Sequence, residues 1–195
     1  MTSYGLSIDP GMSSGVCLFS WDGDYLGGAF KQEKVWQFSG GSPNLALFME
    51  RMKLRDVGGT LFFGGARTLT GIPQVKLERL VVEKFTPRGG AGFSLTQASA
   101  EPLRGEGVLI GRGMLPWIDW QEPSYQYFMG GEGLSEKKKR SREFLKLNGL
   151  YVTGSTVGQK DADDAISAEL HAIAWLRRKR HMPTLVELFQ KEDEA

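Results

Sequence analysis

The stretch Tyr4-Gly5-Leu6-Ser7-Ile8-Asp9-Pro10-Gly11-Met12-Ser13-Ser14-Gly15 limits what this chain can fold into more than any other. Leu6 and Ile8 alternate with Ser7 and Asp9, the period of a strand that sends its apolar pair into a core and its carboxylate out of the opposite face. Pro10 stops the ladder, Gly11 and Gly15 let the backbone turn tightly, and Val16-Cys17-Leu18-Phe19 reads as a second strand returning beside the first. Asp9 is thereby expected at a strand end in mid-sheet, beside a turn of little bulk, a place that suits a metal ion or a phosphate. Taken alone, Asp9-Pro10-Gly11 reads equally well as a plain turn, because all three residue types are favoured there.

Further elements follow in order. A third strand is expected within Tyr25 to Phe38, and Ser42-Pro43 offers an N-cap and a first-turn proline for a helix bearing Leu45, Phe48, Met49 and Met52. The glycine-rich stretch 57–73 reads as an insertion or an irregular connector. Leu77 to Phe85 is a nearly continuous apolar run, the pattern of a strand buried on both faces, and it too reaches a carboxylate, Glu83. A helix is expected over Ser94 to Arg112 despite Pro102, then a short last strand over Leu115 to Trp120. Ser135 is the expected N-cap of a basic helix that Gly149 closes. A final helix opens at Gln159 to Ala165, with Ala165, Ile166, Ala168, Leu170, Ile173, Ala174 and Leu176 marking one buried side, and 191–195 forms a charged tail. No repeat or linker divides the chain, so a single α/β domain over 1–190 is expected.

Composition narrows the class. With 195 residues there is room for one domain with a substantial core but not for two full ones. The net charge of +1 excludes a globally basic nucleic-acid binder, yet leaves room for a local basic face. Cys17 is the only cysteine, which excludes a disulfide framework and a thiolate zinc cluster and points to a reducing compartment. With neither a secretory pattern nor an apolar run of membrane-spanning length, a cytoplasmic location is expected.

The chemistry lies in a combination of acids. Asp161 and Asp164, three residues apart, share one face of a helical turn, while Asp163 points elsewhere. Acids at a helix start also cap N–H groups and complement the dipole, so this cluster by itself reads as capping. Joined to one acid at the end of strand one and another at the end of a later apolar strand, it reads differently. Four converging carboxylates repel unless a cation neutralises them. Hard oxygen ligands suit Mg²⁺ or Mn²⁺, and two such ions about 3.5–4 Å apart activate a water and stabilise the leaving oxygen of a phosphodiester.

In order, spacing and chain length, Ile8-Asp9-Pro10-Gly11, Val81-Val82-Glu83-Lys84-Phe85 and Gln159-Lys160-Asp161-Ala162-Asp163-Asp164-Ala165 resemble the RuvC-type Holliday junction resolvases, nucleases of the ribonuclease H-like superfamily. The resemblance implies a mixed five-stranded sheet with its first three strands antiparallel and helices on both faces. It implies that Asp9, Glu83, Asp161 and Asp164 are the catalytic residues and hold two Mg²⁺ ions, for which Mn²⁺ substitutes; Asp163 matches no catalytic position. The implied function is an endonuclease that resolves four-way junctions or related branched DNA, leaving a 5′-phosphate and a 3′-hydroxyl, and that works as a two-fold homodimer.

Phe85 is the nearest match to an aromatic that the family places just after the strand Glu to stack on junction bases; Phe93 is a rival, and a core role for Phe85 is the other reading. Arg88, in the glycine-rich loop after that strand, and the run Lys137, Lys138, Lys139, Arg140 and Arg142 are the candidate DNA contacts, against the alternative of a solvated face. Arg177 to Arg180 is explained by the helix dipole. The chain departs from the family at Gln126, where a lysine is common after a proline. An actin-like ATPase or sugar kinase also starts with a strand, an Asp and a Gly-rich turn, but needs a second phosphate loop that is missing here. A branched-DNA-binding module that has lost cleavage is opposed by the presence of all four acids.

Overall fold

Period-2 patterning builds the first three strands, β1 (Thr2–Asp9), β2 (Ser13–Asp22) and β3 (Phe30–Ser39), into an antiparallel meander in which Asp9 faces Gly15 and Gly15 faces Gln37. The computed structural model describes residues 2–22, 30–65, 73–85, 96–121, 133–150 and 163–180. Helix α1 (Gly41–Arg51) leads to two short strands, β4 (Arg55–Asp56) and β5 (Leu61–Phe63), and then to the long β6 (Val75–Glu83). β6 lies parallel to β1 and, beyond helix α2 (Gln97–Gly111) and a 3₁₀ turn at Leu115–Trp117, parallel to β7 (Ile118–Gln121). Such parallel pairing needs a crossover, which α2 supplies. The outer edge of β6 is shared: β5 pairs antiparallel with Val75 to Leu77, and β7 pairs with Leu80 to Glu83.

The sheet is therefore mixed α/β with three antiparallel strands first, as expected, but among the described residues it has seven strands rather than five. The two extra strands are β4, just before the 57–73 stretch expected as an insertion or irregular connector, and β5, within it; Arg55 and Asp56 pair with Phe62 and Leu61, which extends the sheet. Their two and three residues are too few to display an alternating pattern in the sequence.

Helices cover both faces. On one, Leu6, Ile8, Leu18, Leu80 and Val82 pack with Leu45 and Met49 of α1 and Leu109 of α2. On the other, Cys17, Phe19, Trp21, Val35 and Val81 pack with Ala165, Ala168, Ala172 and Trp175 of the last helix, α4 (Asp163–Lys179). The basic helix α3 (Gly133–Leu147) forms a further layer, with Leu145 against Ile166, Leu170 and Ile173 of α4. The expected single buried side of α4 is thus corrected: every residue from Ala165 to Ile173 is buried, because the sheet covers one side and α3 the other. Among the described residues no helix is long and apolar enough to cross a membrane.

Helix ends also differ from expectation. α1 starts at Gly41, so Ser42 lies inside its first turn, where its N–H donates to Oε2 of the buried Glu101 on α2 at 2.9 Å. That bond, followed by the Arg104 guanidinium at 2.6 Å from Oε1, holds the Glu101 carboxyl below its usual range. α2 is capped by Thr96 and Ser99 in a reciprocal box. α3 begins at Gly133, ahead of the Ser135 expected as its cap, and closes as expected at Gly149. There a φ of 68° lets Gly149 N–H reach Lys146 O and Leu150 N–H reach Leu145 O, a glycine-terminated Schellman end.

Candidate active site

One row of residues across the sheet carries the chemistry. Asp9 ends β1 on the face opposite Leu6 and Ile8; Gly15 faces it on β2, and Gln37 faces Gly15 on β3. On the other flank Val82 pairs with Ile8, which puts Glu83 next to Asp9, and Gln121 of β7 faces Glu83. Strand alternation turns the side chains of this row toward α4.

The start of α4 is seated on the row by two devices. A Cβ on Gly15 would overlap the carbonyl oxygen of Asp164, so only glycine lets the helix approach this closely. The Gln37 side-chain oxygen accepts the N–H of Ala165 at 3.1 Å, satisfying one of the orphan donors of the first helical turn.

Farther along α4, Ser167 Oγ donates to Glu83 Oε2 at 3.3 Å, and His171 Nε2 lies 2.7 Å from the same oxygen. Both Ser167 and His171 are buried. Asp164, Ser167 and His171 occupy positions i, i+3 and i+7, one helical face, and that face meets the strand-end acids.

Burial pushes the Asp9 carboxyl well above the usual carboxylate value; the neighbouring Glu83 and then Asp164 carboxylates push it the same way, while a hydrogen bond from Ser167 opposes them. Three acids from β1, β6 and α4 thus share one electrostatic neighbourhood, one that a cation would relieve. Among the described residues, no group of three or more His, Cys, Asp or Glu side chains is arranged to hold a metal ion by itself. Asp161, the expected fourth acid, lies outside the described residues, and Asp163 is the first residue of α4.

The remaining expected residues are spread more widely. Phe85 is half-buried just past β6, with its N–H donating to Oε1 of Glu106 on α2 at 2.5 Å, while Lys84 N–H reaches Gln121 O at 2.8 Å. The backbone that carries Phe85 is therefore pinned two residues beyond Glu83. Arg88 and Phe93 lie outside the described residues, as do the side chains of Lys137 and Lys138. On α3, Lys139 is exposed and 3.9 Å from Glu143, Arg140 is 3.2 Å from Glu136, and Arg142 is half-buried. These cations belong to the outer layer, on the helix that packs against α4.

Sequence reasoning passed over Gln37, Ser167, His171 and Gln121. The first and last carry no local mark. Ser167 and His171 do carry one: polar residues three and seven after Asp164 in a stretch that, Glu169 apart, is apolar from Ala165 to Leu176.

No protein-family profile and no curated protein matches the chain. Solved structures do show likeness. T. thermophilus RuvC in complex with Holliday junction substrate has 11% sequence identity over 91% of this chain and 97% of that one, with a TM-score of 0.47. Fowlpox virus resolvase with substrate Holliday junction DNA has 12% identity over 90% and 97%, with a TM-score of 0.49.

Proposed function

We propose that the protein is a divalent-metal-dependent endonuclease that cuts branched DNA, four-way junctions foremost. The observation that carries the reading is the convergence of Asp9, Glu83 and Asp164 from three separate elements, close enough for the latter two to raise the pKa of the first. Three half-buried carboxylates in one neighbourhood call for something positive to set against them. Asp9, Glu83, Asp164 and Asp161 are the ligands this reading assigns to Mg²⁺, and the all-oxygen donor set fits a hard cation. When bound, the metal supplies Lewis acidity and an activated water for phosphodiester hydrolysis.

The residues of the chain have separate tasks in this reading. The carboxylates at the ends of β1 and β6 define the point where a phosphate is attacked, and the seat of α4 on Gly15 and Gln37 keeps Asp164 in reach of them. Phe85, on pinned backbone beside Glu83, stacks on bases at the branch point. Arg88, Lys137, Lys138, Lys139, Arg140 and Arg142 contact the phosphate backbone. The choice of branched DNA, and of a homodimer with one site for each of two opposing strands, comes from the motif resemblance. Labelled four-way, three-way and flap DNA incubated with Mg²⁺, with EDTA as control, tests the reading: Mg²⁺-dependent incision of branched over linear duplex is expected, and equal or absent cutting overturns it.

A further inference from the structure

The His171 imidazole and the Ser167 hydroxyl meet at one oxygen of Glu83, at 2.7 Å and 3.3 Å, from the stretch of α4 between Ala165 and Ile173 that is buried throughout. Neither residue belongs to the set of acids. An aliphatic side chain would fill the position of His171 in α4 without placing a polar ring in the core, and the Nε2 of that ring is directed at Glu83. The His171 ring is fully buried, whereas the Glu83 carboxylate keeps 18% of its side-chain surface exposed. The pair therefore has a closed end in α4 and an open end at the row of acids.

We propose that His171 and Ser167 are positioning residues, which hold the Glu83 carboxylate in the orientation that a divalent cation needs; this rests on the nuclease reading. A carboxylate on a free side chain rotates about its last torsion, a broad and soft one. With the His171 proton on Nε2, the tautomer that a carboxylate oxygen accepts from, two donors on Oε2 fix the plane, and with it the direction of Oε1. Asp9 lies beside Glu83 in the register of β1 and β6, so fixing the Glu83 carboxylate also fixes what stands next to the Asp9 carboxylate. The arrangement is the outer-shell support that metal-binding carboxylates commonly receive, and its loss typically weakens metal affinity about 10–100-fold.

The test is Mn²⁺ binding by the full chain without DNA, followed by calorimetry, with thermal melts to verify folding and cleavage assayed in parallel. His171→Ala should bind Mn²⁺ about 10–100-fold more weakly than wild type. His171→Gln, which returns an N–H near the Nε2 position, should recover most of the loss, and Ser167→Ala should weaken binding in the same direction. Mn²⁺ affinities equal to wild type in both His171→Ala and Ser167→Ala, whatever their melting temperatures, overturn the positioning role. If His171→Ala fails to fold, Ser167→Ala decides, since removing one hydroxyl leaves the core volume nearly unchanged. Wild type that binds Mn²⁺ through Glu83, loses it in these variants and cuts no branched DNA removes the nuclease reading and leaves the positioning role standing.

Discussion

Among single residues, the acids of the row and the acid beneath it answer to opposite demands. Asp9→Asn, Glu83→Gln, Asp161→Asn and Asp164→Asn each remove a proposed ligand and some negative charge near a phosphate. Each should abolish cleavage and leave DNA binding unchanged or tighter in a gel-shift assay, whereas Asp163→Asn should cut almost as wild type. Glu169 is buried in α4, where burial alone raises its pKa from 4.5 to about 8. With its amide turned to donate, Gln32 reaches Glu169 Oε1 at 3.1 Å, which suits the protonated acid and the carboxylate alike. The folded state thus holds the proton more tightly than the unfolded chain. Its stabilising effect is whole below pH 4.5 and is lost as the pH rises to about 8. Glu169→Gln should gain stability over wild type progressively across that window in denaturant titrations. A constant difference at every pH would show that Glu169 does not titrate there.

For the elements, the seat of α4 is the sensitive point. Gly15→Ala drives a methyl into the Asp164 carbonyl, and the helix start must move away from Asp9. Overpacking of this kind costs about 1–3 kcal/mol. Cleavage should fall by more than the unfolded fraction accounts for, because the displaced element carries a proposed ligand. Gln37→Ala leaves the Ala165 N–H without its acceptor, a capping loss of about 1 kcal/mol. Denaturant midpoints paired with cleavage rates separate the two, since Gln37→Ala should lose stability in the main and Gly15→Ala both. The far end of α4 is tied as well: Trp175 Nε1 donates to Asp119 of β7 at 2.7 Å, and Lys179 lies 3.4 Å from the same carboxylate. The helix is thus held at both ends on the sheet that bears the acids.

At the scale of the whole molecule, the layering puts the cations of α3 outside α4 and the acids inside it. Arg140 has Glu136 at 3.2 Å, a closer partner than Glu143 is to Lys139 at 3.9 Å, so the three lysines are the ones to neutralise first. Removing the charges of Lys137, Lys138 and Lys139 together should weaken binding to branched and linear DNA alike, and lower the salt slope by about 0.9 for each phosphate that a lysine had neutralised. An unchanged slope returns the run to a solvated face. Resolution of a four-way junction needs paired nicks on opposing strands, so a homodimer is expected by light scattering. A monomer that only nicks the junction contradicts resolution while leaving branched-DNA cleavage in place.

What the sequence determined by itself was short in range. Alternation around Ile8, the apolar run through Val82, Pro10 after Asp9 and the glycine at 149 are local patterns, and each produced its strand, turn or helix end where expected. That Asp9 and Glu83 each stand at a strand end was legible for the same reason; that their strands lie side by side was not. The tertiary structure decided what pairs across distance: Gln37 with the start of a helix 128 residues later, His171 with Glu83 across 88, and Glu101 with the first turn of α1 across 59. A hydrogen bond between such positions leaves no period in either segment. It exists because packing removes water from both partners and puts a protein group in water's place. The extra edge strands and the all-round burial of α4 have the same origin, since a short strand is defined by its neighbour and a helix by what covers it.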